Sequence, residues 1–325
     1  MAASPQVVVV GSIMQDLTFS CRDFPAPGQT VVGRLGSGQG GKGSNQAIAC
    51  GKMGVRTTFV GAMGDDAFAD QVEAGYRALR IGCHLVRKPK CATGTAVILI
   101  NAQGQNEIVI EPGANAALAP RDVPATLLAR AEVVIVQLES NLRTTADVLR
   151  RAQRAGAITV LNPAPMREDF DAALLRHVDI LIPNESEFAA LVRTLPAIGD
   201  RSFDEASLQT MDDDALQALC RRIGVPTVIV TLGSRGAFLS QPNGGQRIPA
   251  HTGLKVRDTT GAGDAFCGGF AAGLVRCRGD MVEAVRLGTA VAALSITKPG
   301  AAQAMPSRAE VVRFIGRTRA KNWNL

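Results

Sequence analysis

Four consecutive valines, Val7–Val10, closed by Gly11 and Ser12, set the terms for this chain. A β-branched run with no polar alternation reads as a strand buried on both faces. Comparable short runs recur in "TTFVGA", "AEVVIVQLES", "AITVLNPAP", "HVDILIPNE" and "PTVIVTLGSRG". Between them lie stretches of helical period, such as "SNLRTTADVLRRAQRAG", which opens on Ser and Asn as capping residues and stops at Gly156. Strands alternating with helices imply βαβ units. The expected fold is therefore three-layer, doubly wound α/β, a mostly parallel sheet flanked by helices. In such a sheet ligands gather at the carboxyl edge, where each strand here runs into a polar or glycine-rich turn.

Two stretches break the pattern. Residues 16–38 alternate polar and apolar about a Pro/Gly turn, and residues 93–115 read as a hairpin about "QGQN". Their four strands do not suit the parallel sheet. They are expected to form a small antiparallel β lid, inserted from about 14–40 and 92–114 into a single domain over 1–325. The acidic segment 196–214 reads as an exposed loop or helix entry.

Composition narrows the function. The net charge of +6 would suit nucleic acid, but Lys and Arg occur singly or in pairs, and aromatics for base stacking are scarce at 4%, with one Trp and one Tyr. A small anionic substrate fits better. The seven cysteines form no CxxC, so no zinc site or disulfide frame is indicated, and buried thiols in a reducing cytoplasm are expected. No apolar run approaches the ~18 residues of a membrane span, so neither nucleic acid nor membrane is an expected partner.

The chemistry concentrates in a few motifs. "GSGQGGKGSNQA" fits G-x-G-x-x-G, but its preceding strand belongs to the lid, which argues against a nicotinamide dehydrogenase. It also fits G-x4-G-K, but Gly43 stands where a P-loop needs Ser or Thr. What remains is a bare Gly-Gly-Lys-Gly turn into a helix, where Lys42 and Asn45 can hydrogen-bond hydroxyls. In "PNESEF", Asn184 and Glu187 either hold a magnesium–phosphate complex or form a capping box. "TLGSRGA" is a hairpin turn or a loop under a nucleotide, and Glu139 in "QLES" ends a strand. "DTTGAGDAF" opens a helix on glycines, an anion seat, with Asp264 in its mouth. The positive end of the helix favours the ionised form of Asp264 by ~0.3–1 kcal/mol. An ionised acid facing an alcohol can take its proton while the N–H groups of Gly261, Ala262 and Gly263 steady a transferring phosphoryl. A plain helix cap is the competing reading of Asp264.

In this order, "GGKGSNQA", "PNESE", "TLGSRG" and "DTTGAGDAF" resemble the ribokinase family of sugar kinases over nearly the whole chain. The resemblance implies ATP-dependent phosphorylation of the 5-hydroxyl of D-ribose, with Mg²⁺ required and K⁺ stimulating. It implies that Asp16, Gly41, Lys42, Asn45 and Glu139 bind the sugar and that Asp264 is the base. It places Asn184, Thr231, Gly233, Ser234, Gly236 and Gly263 on ATP, Thr289 near the adenine, and Glu187 on magnesium and phosphate. It places Asp258, Thr260, Ser295, Lys298 and Gly300 around a monovalent cation, mostly through backbone carbonyls. The lid would cover the sugar and pair with its twin in a homodimer. Two positions depart from the family pattern. Met14 stands where many members carry Asn on the sugar, which makes 2-deoxy-D-ribose an alternative acceptor. Ala304 stands where a Ser often serves the cation site. A non-catalytic sugar or nucleotide sensor is the reading of another class, and the intact acid at 264 speaks against it.

Overall fold

The computed structural model describes residues 6–316, 320, 321 and 323–325. Its strands are β1 (Val7–Val10), β2 (Met14–Ser20), β3 (Arg34–Gly40), β4 (Thr57–Met63), β5 (Gly82–Arg87), β6 (Thr95–Ile100), β7 (Asn106–Glu111), β8 (Val133–Val136), β9 (Ile158–Leu161), β10 (Ile180–Leu181), β11 (Thr227–Thr231), β12 (Ala237–Gln241) and β13 (Gly244–Ile248). The helices are α1 (Lys42–Lys52), α2 (Ala67–Leu79), α3 (Ala125–Leu128), α4 (Leu142–Arg154), α5 (Glu185–Thr194), α6 (Glu205–Thr210), α7 (Asp213–Arg222), α8 (Ala262–Arg276), α9 (Met281–Ser295) and α10 (Arg308–Ile315).

The main sheet has the order β13-β12-β11-β10-β9-β8-β1-β4-β5. Every neighbouring pair from β11 to β5 is parallel, and β12 and β13 add an antiparallel edge. The four valines show why the sheet lies in the middle. Val7 and Val9 belong to an apolar cluster with Ile48 of α1, Tyr76 of α2, Phe270 of α8 and Val291 of α9. Val8 and Val10 point the other way, into a cluster with Leu149 of α4, Leu191 of α5 and Leu216 of α7. Alternate side chains of one strand thus feed two separate cores.

Capping follows the sequence closely. Asn141 accepts N–H bonds from Arg143 and Thr144 to start α4, as its position predicts. The acidic segment 196–214 yields α6 and the first turn of α7. Strand β5 and the hairpin β12–β13 are absent from the sequence reading. Residues 82–84 at the start of β5 are exposed, so its apolar signal is weak, whereas "PNGG" after β12 is a turn signal the pattern search passed over.

The lid is a second sheet, ordered β3-β2-β6-β7. Each insertion closes as an antiparallel pair, β2 with β3 and β6 with β7, as expected. The two insertions meet through β2 and β6, however, and this central pair is parallel. The reason lies in the main sheet. Both β2 and β6 follow parallel strands, β1 and β5, and leave the same carboxyl edge in the same sense.

One close approach sets the site. A Cβ added at Gly268 would lie 2.4 Å from the Gln46 carbonyl oxygen, so α8 and α1 touch at backbone distance. That contact brings the first turn of α8 against the side chains of Asn45 and Gln46.

Candidate active site

Asp264 sits in the first turn of α8, whose N-cap is Gly261 in a left-handed conformation (φ 74°) that L side chains rarely adopt. The helix has no side-chain cap, so Asp264 is not spent on capping. Asp264 is 6% exposed, and its carboxylate receives two amides from α1. Asn45 Nδ2 donates to Oδ2 at 3.0 Å, and Gln46 Nε2 donates to Oδ1 at 3.0 Å. The Asn45 Oδ1 atom is buried without a protein partner.

The electrostatics differ from the sequence expectation. Burial raises the pKa of Asp264 above the usual carboxylate value, against the opposing pull of Lys42, Asn45 and Gln46, and Glu139 adds to the rise. Desolvation outweighs the favourable end of the helix because the site is shielded from water. Lys42 lies among the same acids. Burial acts to strip its proton, but Asp264, Glu139 and Glu187 outweigh burial and raise its pKa. Asp16, on β2, is pushed up to about 7 by burial and by the charges of Glu139 and Asp264.

Glu139 follows β8 and is tied to α1. Its Oε2 accepts the Lys42 backbone N–H at 3.0 Å and the Ser12 hydroxyl at 2.5 Å. Gly41, which precedes α1, has φ 86°, and a Cβ there would meet Ile13 backbone at 2.7 Å. Met14 is buried, 3.6 Å from Asn115 Nδ2, and the same amide donates to the Ile13 carbonyl at 2.8 Å.

Two cavities meet at the start of α8. A small one of about 150 Å³ is lined by Lys42, Asn162, Glu187, Gly261, Asp264 and Cys267, among others. A larger one of about 610 Å³ is lined by Thr231, Gly233, Ser234, Gly236, Thr289 and an apolar wall of Leu254, Val256, Phe266 and Ile296. Both are bounded by Asn184, Thr231, Thr259, Ala262 and Gly263. The parallel bridge between Asn184 and Thr231 brings those two residues together. Thr289 spends its hydroxyl on the Arg286 carbonyl at 2.8 Å.

At Asn184 and Glu187 the capping alternative is realised: Asn184 Oδ1 accepts the Glu187 N–H at 2.8 Å, and Glu187 Oε2 accepts the Asn184 N–H at 2.9 Å. The same two residues also face the small cavity, so capping and lining coexist. Burial raises the pKa of Glu187, although the Asn184 N–H and Lys42 oppose it.

Asp258 staples two loops. Its Oδ1 accepts the Thr260 N–H at 2.9 Å and its Oδ2 the Gly300 N–H at 2.7 Å. Burial works against the charge, but these bonds prevail and lower its pKa. The Ser295 hydroxyl donates to the Ala292 carbonyl, and the Lys298 ammonium pairs with Glu310. Among the described residues no cluster of three acidic, Cys or His side chains could hold a metal. All seven cysteines are free, but only Cys50, Cys220 and Cys267 are buried and Cys83 is exposed, so the expectation of buried thiols holds for three.

Sequence reasoning passed over Ser12, Gln46, Asn115, Gln137 and Asn162 as site residues. An amide just past an all-apolar strand is the signal, since Gln137 follows β8 and Asn162 follows β9.

Asp16 gives a pH prediction. Its folded pKa is raised, so its stabilising contribution is complete below about 3.8 and is lost as pH rises through about 7. Thermal melts from pH 5.5 to 8.5 should show a falling Tm in the parent protein and a shallower fall in Asp16→Asn. Equal slopes would remove Asp16 as the titrating group.

The chain and its fold are similar to known proteins along nearly their full length. The chain is 33% identical to a ribokinase of Staphylococcus aureus over 311 residues, 94% of this chain and 98% of that one. It is 32% identical to a deoxyribokinase of Salmonella typhi over 308 residues, 93% and 95% of the two chains. The solved structure of Arabidopsis thaliana ribokinase complexed with ribose and ATP matches with a TM-score of 0.82 at 29% identity, covering 96% of this chain and 99% of that one. The model of the pfkB family carbohydrate kinases matches residues 4–308. A family model matched over residues 4–308 and a sequence shared along nearly the full length make this chain a member of the pfkB family of carbohydrate kinases.

Proposed function

We propose that the protein transfers the γ-phosphoryl group of ATP to the 5-hydroxyl of D-ribose. The observation that carries this reading is the position of Asp264, on the wall of the small cavity where it joins the large one. The small cavity and its surroundings offer a sugar what it needs. Asp16, Glu139 and Asn45 accept hydroxyl protons, the Lys42 ammonium donates, Gly41 leaves the backbone bare for close approach, and the unpartnered Asn45 Oδ1 awaits a donor. The large cavity offers an apolar wall for a purine beside Thr289, with Gly233, Ser234 and Gly236 beneath the nucleotide.

The reaction then balances as follows. The 5-hydroxyl hydrogen-bonds to Asp264, and its oxygen forms the new P–O bond as its proton passes to the carboxylate. The bond between the γ-phosphorus and the bridging oxygen breaks, and its electron pair leaves with ADP. The backbone N–H groups of Gly261 and Gly263, with the Lys42 charge, stabilise the developing negative charge, whereas the Ala262 N–H that the sequence also offered is spent on the Thr259 carbonyl at 3.1 Å. The raised pKa of Asp264 makes its carboxylate a stronger base toward the alcohol proton.

Mg²⁺ would neutralise phosphate charge, and Glu187 with Asn184 would orient its complex from the cavity wall. Both Asp258 carboxylate oxygens already hold N–H groups, so K⁺ would rely on backbone carbonyls near Thr260, Ser295, Lys298 and Gly300. Ala304 adds no hydroxyl there, so we expect weak stimulation by K⁺. The exposed strand β7, with Val109 at 73% exposure beside Ile108 and Ile110, supports homodimerisation through the lid. Residues 1–325 would act as one unit, because β2 of the lid contributes Asp16, and the reaction would run in the cytoplasm, where ATP is available.

A coupled ADP-release assay with ribose, 2-deoxyribose, fructose and adenosine tests the reading. Ribose should give the highest kcat/KM, and no turnover of any sugar would overturn it. Met14 favours one second reading, a deoxyribokinase, because a thioether leaves no buried amide unpaired when the 2-hydroxyl is missing. Met14→Asn should raise the ribose-to-deoxyribose ratio of kcat/KM by about tenfold, the usual order for one hydrogen-bonded group. An unchanged ratio would take Met14 out of sugar discrimination.

A further inference from the structure

We propose that Gln46 is a positioning residue for Asp264, held in register by Gln137 and Asn162 through a buried chain of side-chain amides. The proposal rests on the reading of Asp264 as the base. All three amides are buried, with Gln46 fully so, Gln137 1% exposed and Asn162 7% exposed. Their bonds run across the carboxyl edge of the sheet. Gln137 Nε2 donates to Gln46 Oε1 at 2.7 Å, and Gln46 Nε2 donates to both Asn162 Oδ1 and Asp264 Oδ1 at 3.0 Å.

The direction of this chain is fixed rather than arbitrary. Asn162 Nδ2 donates to the Ile182 carbonyl at 2.8 Å, and a backbone carbonyl can only accept. Asn162 must therefore turn its oxygen toward Gln46, and Gln46 must answer with its nitrogen. That leaves Gln46 Oε1 for Gln137 and the second hydrogen of Nε2 for Asp264. A reversed Gln46 would set oxygen against oxygen at both Asn162 and the carboxylate. The backbone oxygen of Ile182 is thus transmitted through two amides as a donor aimed at one oxygen of the base. Asn45 holds the other. Room for Gln137 is made by Gly11, where an added Cβ would lie 2.0 Å from Gln137 Oε1.

Two consequences follow for Asp264. Its carboxyl plane is pinned at both oxygens, and its charged form gains a buried donor. The other groups facing it are Lys42 and Asn45 from α1, Asp16 from β2, Glu139 after β8, Glu187 from α5 and Cys267 from α8. These remain unchanged when Gln46 is altered, so a difference between variants isolates the Gln46 donor.

The test is the pH profile of kcat/KM for the pentose, measured from pH 5.5 to 9.5 with saturating MgATP. Gln46→Met preserves length and removes the donor. It should move the acid limb up by about one pH unit, so that activity at the lowest pH falls about tenfold more than at the highest. The KM for ATP should not move. Gln137→Met leaves every direct contact of Asp264 in place and should shift the limb in the same direction by less, and adding it to Gln46→Met should produce no further shift. A uniform loss at all pH values with an unmoved limb would overturn the proposal, as would additive effects of the two substitutions. If Gln46→Met fails to fold, Gln137→Met decides by the same criterion. A parent protein without pentose turnover would instead defeat the kinase reading, a separate outcome seen before any variant is made.

Discussion

Asp264→Asn should lower kcat about a thousandfold while leaving the KM for ATP within about twofold, since a lost general base typically costs 10²–10⁴ in rate. The substitution keeps shape and removes only the capacity to accept the alcohol proton. It would still be accommodated. The new amide nitrogen cannot face Gln46, whose own nitrogen is fixed toward it by Asn162 and Gln137. It can face Asn45, whose Oδ1 has no protein partner and which is free to turn over and accept. The variant should therefore melt within a few degrees of the parent, so that the loss of rate reports chemistry rather than unfolding. Steady-state kinetics with a melting curve checks both halves. A variant within tenfold of the parent kcat would remove Asp264 from the role of base.

Gly263→Ala should separate folding from function in the opposite way to most glycine substitutions. A Cβ at Gly263 meets no protein atom within 4 Å, because it projects into space at the join of the two cavities. Alanine is the better helix former, so stability should hold or rise by up to about 1 kcal/mol. The methyl group would occupy the place where the phosphoryl group passes and push it from the N–H groups of α8. Loss of one such donor costs about 10²–10³ in kcat, and the same order is expected here. Gly268→Ala is the contrasting control. Its Cβ would lie 2.4 Å from the Gln46 carbonyl oxygen, so it must force α1 and α8 apart and lose stability together with rate. If Gly263→Ala kept full activity, the phosphoryl group would have to travel elsewhere.

Both expectations depend on how crowded the site is with charge. Glu139, Glu187 and Asp264 act on one buried ammonium, Lys42, and Asp16 feels the charges of Glu139 and Asp264. Burial and neighbouring acids raise the pKa values of Asp16, Glu187 and Asp264, and the ammonium holds part of the charge in place. This balance explains why the glycine-rich helix start alone gave the wrong sign for Asp264. The end of a helix favours an anion by a fraction of a kcal/mol to about 1 kcal/mol, whereas removal from water costs more when several anions share one enclosure.

The amino-acid sequence by itself determined the parallel sheet, its two flanking layers and the two lid insertions, because side-chain period and capping are local properties that four valines or an Asn at a helix start express unaided. It also marked Asp264, Lys42, Asn45 and Asn184, whose glycine-rich or capped surroundings are contiguous in the chain. It did not determine that β2 and β6 run parallel, which follows from where the two insertions leave the main sheet. Nor did it reveal the chain of amides from Gln137 through Gln46 to Asp264, whose members lie 91 and 218 residues apart. Hydrogen-bond direction between such groups is decided only when packing removes water and leaves each donor a single acceptor, and that happens in the folded protein alone.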